Sequence, residues 1–330
     1  MTFMLPPITG IDADTTRRVG FELEYSGIEI DASADILNEL LDGSIRQTTP
    51  FSFSINDTRY GTFKLEIDAA FLKNEKYIEY LNMIGINIEN FDARKSLEDL
   101  LMDVASTVVP CEIVMPPLPI TNMEIADDIV DALRKHKAKG TGASFLYAFG
   151  LHINPEVAST DAEYLLNHIR AFILLFDLIC EETKVDLSRR ISPYINKYPA
   201  DYIKKILNTN YSPDIDRLID DYMEFNPSRN HALDMLPLFA YIDAEKVMQK
   251  ASEPELVHSR PTFHYRLANS RIDETGWSIS GEWNYWVKIE KLACSQEKLA
   301  ELCNKYLADQ NSTWPTWKSE WITTVRQVLE

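Results

Sequence analysis

The stretch Arg17-Arg18-Val19-Gly20-Phe21-Glu22-Leu23-Glu24-Tyr25-Ser26-Gly27 decides how the chain is read. Side chains alternate across a strand, so Val19, Phe21, Leu23 and Tyr25 share one face while Glu22 and Glu24 share the other. Two like charges held side by side repel. A bound cation or a basic partner is the usual relief.

Other segments repeat this arrangement. Thr62 to Ala70 sets Phe63, Leu65 and Ile67 on one side, with Lys64, Glu66 and Asp68 opposite. Val108 to Leu118 is a short strand closed by Pro116-Pro117, since proline cannot continue a ladder, and its one charge is Glu112. In Phe145 to Pro155, Phe149, Leu151 and Ile153 oppose Gly150, His152 and Asn154; in Arg260 to Leu267, Phe263, Tyr265 and Leu267 oppose Thr262, His264 and Arg266. Thr49 to Asn56 also alternates.

The spacing predicts helices over Asp31 to Asp42, stopped at Gly43, and over Lys76 to Met83, Ala93 to Val104 and Ile125 to His136. A capping box at Thr160-x-x-Glu163 opens a long helix to about Glu182. Pro199 to Leu207, Pro213 to Phe225 with Ser212 as cap, and Asn230 to Leu236 follow. The expectation is an α+β fold: an antiparallel sheet drawn from residues 17–154 and 260–268, a helical block at 156–258, and a helical segment at 275–330, all in one catalytic domain spanning 1–330. Trp277, Trp283 and Trp286, at near-helical spacing, are expected in the core.

A chain of 330 residues with 45% hydrophobic content can bury a substantial core. Its 51 acidic and 33 basic residues leave a net charge of −18, which disfavours a long nucleic-acid footprint or an anionic membrane surface as partner and leaves room for local basic sites for small anions. The start, Met-Thr-Phe-Met-Leu-Pro-Pro, lacks the pattern of a secretory signal, and the apolar run Ala171 to Cys180 is short and broken by Asp177. A cytoplasmic address is the expectation. Cys111, Cys180, Cys294 and Cys303 show no paired metal spacing and read as reduced packing residues.

The five strands put Glu22, Glu24, Glu66, Asp68, Glu112, His152, Asn154, His264 and Arg266 on one face. An antiparallel sheet often turns one polar face to solvent for no functional reason. Such a face, however, usually mixes hydroxyls and both charge signs, because like charges on neighbouring strands are destabilising. Carboxylates and imidazoles together suit divalent cations, and Mg²⁺ in particular sits between carboxylates and phosphates.

Gly20-Phe21-Glu22-Leu23-Glu24-Tyr25, Asp68, Glu112-Ile113-Val114-Met115-Pro116-Pro117-Leu118, Leu151-His152-Ile153-Asn154, Asn226 to Leu238 and Phe263-His264-Tyr265-Arg266-Leu267 together resemble the amidoligase family. These are carboxylate-amine ligases that share the fold of glutamine synthetase and glutamate-cysteine ligase, a curved antiparallel sheet with helices on one face. The resemblance implies a ligase that uses ATP to activate a carboxylate as an acyl phosphate, which an amine then attacks to form an amide. It implies Mg²⁺ at more than one site, with Mn²⁺ as an alternative ion. Glu22 and His152 would serve one metal site, Glu24 with Asp68 and Glu112 another, and Arg266 would contact nucleotide phosphate. Glu24 and Arg266 would carry the catalysis. The chain departs from the pattern at His264, where the superfamily usually has glutamate, so His264 stands as a metal ligand of altered character. Asn154, Arg229, Arg260 and Arg271 are candidates for binding nucleotide or substrate, with structural ion pairs as the competing reading for the arginines. An amino acid or peptide is the implied substrate, and a glutamine amidotransferase-type protein is a candidate partner. Two other functions fit the same face: a catalytically reduced metal- and nucleotide-binding protein, for which His264 would be the mark, and a guanidino phosphotransferase.

Overall fold

A computed structural model of the chain describes residues 1–67, 111–141, 149–185, 196–309 and 317–329. The strand at Arg18–Tyr25 (β1) forms as its alternation predicts and lies in the middle of a large antiparallel sheet that does not close. The other strands are β2 (Ser44–Thr49), β3 (Ser52–Thr58), β4 (Gly61–Ile67), β5 (Cys111–Val114), β6 (Leu118–Pro119), β7 (Gly150–Pro155), β8 (Leu233–Asp234) and β9 (His264–Asn269). Across the sheet they run β2-β3-β4-β5-β1-β7-β9-β8, with β6 pairing beside β5 on β1.

Among the described residues the helices are α1 (Ile30–Leu41), α2 (Glu124–Lys135), α3 (Ala162–Glu182), α4 (Ala200–Leu207), α5 (Ile215–Phe225), α6 (Leu236–Ile242), α7 (Ala244–Lys250), α8 (Ile279–Ala293), α9 (Gln296–Asp309) and α10 (Trp317–Leu329). The helices expected at Lys76 to Met83 and Ala93 to Val104 lie outside the described residues, as does Asp68. No described helix is long and apolar enough to cross a membrane.

Burial follows the predicted alternation. Val19, Phe21, Leu23 and Tyr25 of β1, Phe63, Leu65 and Ile67 of β4, and Leu151 and Ile153 of β7 all lie in one apolar core. Helices cover that side: Phe21 meets Trp283 of α8 edge-on, and Tyr265 meets both Trp286 of α8 and Phe172 of α3. Trp283 and Trp286 are fully buried, as their spacing suggested, each worth about 2–3 kcal/mol in apolar burial. α3 is buried nearly all round because α8, α9, α10 and α4 pack on it as well. The four cysteines are free thiols; Cys111, Cys180 and Cys303 are packed inside, whereas Cys294 is exposed.

Several boundaries differ from the sequence reading. The capping box at Thr160 does not form; Asp161 stands at the N-cap position of α3, its side chain taking a hydrogen bond from Ser159 Oγ rather than capping a backbone N–H of the helix. Asp214, rather than Ser212, caps α5, its carboxylate accepting from Arg217 N. Asp42 carries the left-handed turn that ends α1, and Gly43 is needed for a different reason: a Cβ there would sit 2.6 Å from Asn56 O. The largest difference is at Asn230 to Leu236, which is not helical until Leu236, the first residue of α6. Leu233–Asp234 pairs with β9 as β8, so a strand stands inside the expected helical block.

Candidate functional site

The strand register assembles the polar face. On β1, Glu24 lies directly opposite Glu112 of β5, and Glu112 lies opposite Glu66 of β4, so three carboxylates form a row across three strands. Glu22, one step along β1, lies opposite His152 of β7. The β7–β9 pairing shifts between Leu151 and Ile153: Leu151 faces Ala268 and Ile153 faces Tyr265, leaving an extra residue on β9 opposite His152. Such a bulge re-aims side chains, and it falls at Arg266 and Leu267.

Glu22, His152 and His264 converge, with ligand-capable atoms all within 4.8 Å of one another. His152 Nδ1 is 2.8 Å from Glu22 Oε2, and Asn154 Nδ2 donates to Glu22 Oε1 at 2.9 Å. Arg260 Nη1 reaches the same oxygen at 3.4 Å from the half-buried rim. The His152 and His264 rings meet edge to face with centroids 5.3 Å apart. Arg266 Nε lies 3.4 Å from His264 Nε2. Glu24 Oε2 accepts from the backbone N–H of Gly150 at 2.6 Å.

The electrostatics follow from this crowding. Burial pushes the Glu22 carboxyl up, but the bond from His152 and the adjoining cationic charge more than reverse it, leaving it well below the ordinary carboxylate range. Burial, reinforced by Arg266, holds His264 well below the usual imidazole value, so the ring is neutral near pH 7. Burial lowers Arg266 as well, opposed chiefly by Asp234.

Asp234 is the residue that reading the sequence missed. It is fully buried on β8 opposite His264, with Oδ2 3.2 Å from Arg229 Nε and 3.7 Å from His264 Nδ1. Burial raises its carboxyl, against the lowering charges of Arg266 and Arg229. A two-residue strand has no period to detect; the only signal was its place within the Asn226 to Leu238 motif.

The predicted residues therefore divide. Glu22, His152, His264, Asn154, Arg260 and Arg266 come together, and Glu24 and Glu112 stand one row away. Arg229 is tied to Asp234 and to Leu256 O. Arg271 lies two residues past β9, paired with Glu274 and donating to Thr183 O, so the structural reading fits it best. Asp68 lies outside the described residues. A cavity of about 310 Å³ between the start of α3 and the α8–α9 junction holds none of the candidates.

The fold is an open antiparallel sheet with helices against its apolar side and carboxylate, imidazole and guanidinium groups on its polar face. The family model described as "Putative amidoligase enzyme" matches residues 15–288, and the chain belongs to this family of ligase enzymes. The match includes every candidate site residue. No curated protein and no solved structure gives a significant match.

Proposed function

We propose that the protein is an ATP-dependent carboxylate-amine ligase, working on the polar face of a glutamine synthetase-like fold and joining an amino acid or peptide carboxylate to an amine. The observation that supports it best is that strand register sets Glu22, Glu24, Glu112 and His152 on one face of adjacent strands, where His264 converges on Glu22 and His152 with Arg266 beside it. Amide formation in water is uphill until the carboxylate oxygen becomes a leaving group, and transfer of a phosphoryl group to it as an acyl phosphate supplies one. The donor types suit a cation-assisted transfer: Glu22, His152 and His264 bring ligand-capable atoms within 4.8 Å of one another, and the neighbouring Glu24–Glu112–Glu66 row, though not gathered that closely, offers only oxygens, the donor type Mg²⁺ prefers. Bound there beside the polyphosphate, Mg²⁺ would offset charge and align the transfer.

The chain's own groups do the rest. Arg266, brought to the face by the β9 bulge, stabilises negative charge on the transferred group. Arg260 stands at the rim, half exposed, and can grip a phosphate or carboxylate with its second nitrogen. Asn154 fixes the orientation of Glu22. Arg229 acts through Asp234, holding it beside His264.

A second reading, a binding protein with reduced catalysis, is favoured by the fact that Glu22 already has three protein partners. Purified protein given Mg-ATP and a panel of amino acids and small peptides separates the two. The ligase reading expects phosphate release that depends on an acid and an amine together, with a product of the mass of their amide. Nucleotide binding without turnover across the panel favours the second reading, and a phosphorylated guanidino product with no amide would contradict both. A cytoplasmic setting and an amidotransferase-type partner remain part of the proposal.

A further inference from the structure

Gly20 stands inside β1, on the polar face between Arg18 and Glu22 and directly opposite Asn154 of β7. A glycine within a strand weakens it, having no side chain to pack and the most chain freedom to lose, so its place in a central strand calls for a cause. Three structural causes fail. Among the described residues the glycines with positive φ are Gly27, Gly61 and Gly276, not Gly20. The β1–β7 pairing runs without a shift from Val19–Pro155 to Leu23–Leu151, and the extra residue on the other flank lies in the facing Met115 to Pro117 stretch, not in β1. Nor is the position crowded: a Cβ at Gly20 would meet Asn154 Cβ at 3.8 Å and Asn154 Nδ2 at 3.9 Å, ordinary contacts, whereas one at Gly43 would sit at 2.6 Å from its neighbour. What remains is a group from outside the chain that comes down on the bare backbone.

The side chains around this gap define the group. Asn154 donates to Glu22 Oε1 at 2.9 Å, and Arg260 Nη1 lies 3.4 Å from the same oxygen, so the guanidinium stands close to Gly20. Arg260 is half exposed and makes no other side-chain hydrogen bond among the described residues. Arg18, two residues or about 7 Å along β1, is exposed and gives Nη1 to Pro117 O at 3.1 Å. Its guanidinium pairs with no carboxylate among the described residues, the Glu156 carboxylate being taken up by its backbone N–H. Two guanidinium groups with unused donors, in a chain of net charge −18, suit a carboxylate, which guanidinium grips through parallel N–H bonds. We infer that the gap over Gly20 seats the terminal carboxylate of an amino-acid or peptide substrate, held by Arg260 and Arg18, and that Gly20 is a specificity-determining residue because a side chain there occupies the seat. This carboxylate is bound and not consumed, since Glu24, which serves the transfer, lies four residues or about 13 Å along β1. The inference rests on the ligase reading of this face and assigns the substrate's position on it.

The test is saturation-transfer difference NMR on the full chain with Mg²⁺. The probes are the standard amino acids, the glycyl dipeptides built on them and the C-terminal amide of each, with titration of those that bind. The expected result is at least one acid that binds while its amide, lacking the charge, binds about 10–100-fold more weakly. Gly20→Val should weaken that acid by at least about a hundredfold and Gly20→Ala by about fivefold, the scale of overpacking by one methyl. Arg18→Gln should weaken it by about tenfold. Because a Cβ fits at this position, both glycine variants should melt at or above the parent's temperature. Should Gly20→Val be destabilised, Gly20→Ala decides, and destabilisation of both overturns the inference. No acid bound across the set, an acid and its amide bound equally, or binding unmoved in the glycine variants also overturns it. Selective acid binding without a ligation product from Mg-ATP defeats the ligase reading alone; ligation product formed equally well by Gly20→Val defeats the inference alone.

Discussion

Replacing Glu24 by Gln separates the function of the carboxylate row from its structural cost. Glu24 faces Glu112 directly, and Glu112 faces Glu66, so removing one charge relieves a cross-strand repulsion of about 0.2–1 kcal/mol. Against this, the 2.6 Å bond from Gly150 N–H loses its charge assistance, at about 1 kcal/mol, while the amide oxygen still accepts. The two effects nearly cancel. Stability should stay within about 1 kcal/mol of the parent, and the melting temperature within about 4 °C. Ligase activity should fall by at least about a hundredfold, the scale of losing one electrostatic stabiliser of the transition state. Urea denaturation and acid-plus-amine-dependent phosphate release measure the two quantities on the same preparation. A variant destabilised by more than about 3 kcal/mol, yet with normal turnover per folded molecule, would refute the reasoning, because the carboxylate would then be structural.

Arg17 is fully buried, and its guanidinium donates to both oxygens of Glu290 at 2.8 Å and to the carbonyls of Ile8 and Glu156. Arg17→Met strands Glu290 and should cost about 3–5 kcal/mol in urea unfolding, with part of the loss recovered in the double variant Arg17→Met/Glu290→Leu; equal loss in both would contradict this. Burial holds His231 down to about 4, so the folded protein refuses a proton that the unfolded chain takes once the pH drops below about 6.5. Stability from this group is complete above that pH and is lost progressively toward pH 4, amounting to up to about 3 kcal/mol. His231→Gln should flatten the pH dependence of the urea midpoint across that window, and an unchanged slope would count against it. Gly43→Ala would push a methyl to 2.6 Å from Asn56 O and 2.8 Å from Ile55 Cγ2, so a loss of about 1–3 kcal/mol is expected by thermal melting, and a neutral result would mean the α1–β2 turn relaxes freely.

The parts of the fold that were legible in the sequence are those whose two faces differ in chemistry. β1, β4, β5, β7 and β9 each set apolar residues against charged or imidazole ones, and that contrast named most of the candidate face. β2 was not legible because Ser44–Thr49 is exposed along its whole length and has Ile45 as its only large apolar residue. β8 was hidden for a different reason: Leu233–Asp234 is extended only because β9 pairs with it, while the local run of apolar residues reads as helix. Missing β8 meant missing Asp234. Likewise nothing local reveals the bulge opposite His152, which arises from pairing between strands more than a hundred residues apart and which turns Arg266 toward His264. The N-cap positions at Asp161 and Asp214 were missed by a residue or two because neighbouring Ser, Thr and Pro satisfy the same pattern.

The most direct test of the ligase account uses the acid found in the substrate panel, labelled with ¹⁸O in its carboxylate, together with ATP, Mg²⁺ and the amine. Phosphoryl transfer to that carboxylate, followed by amine attack at its carbon, sends one carboxylate oxygen out with the phosphate. The account predicts one ¹⁸O atom in the released phosphate for each amide formed, read by mass spectrometry. Amide accompanied by unlabelled phosphate would contradict it.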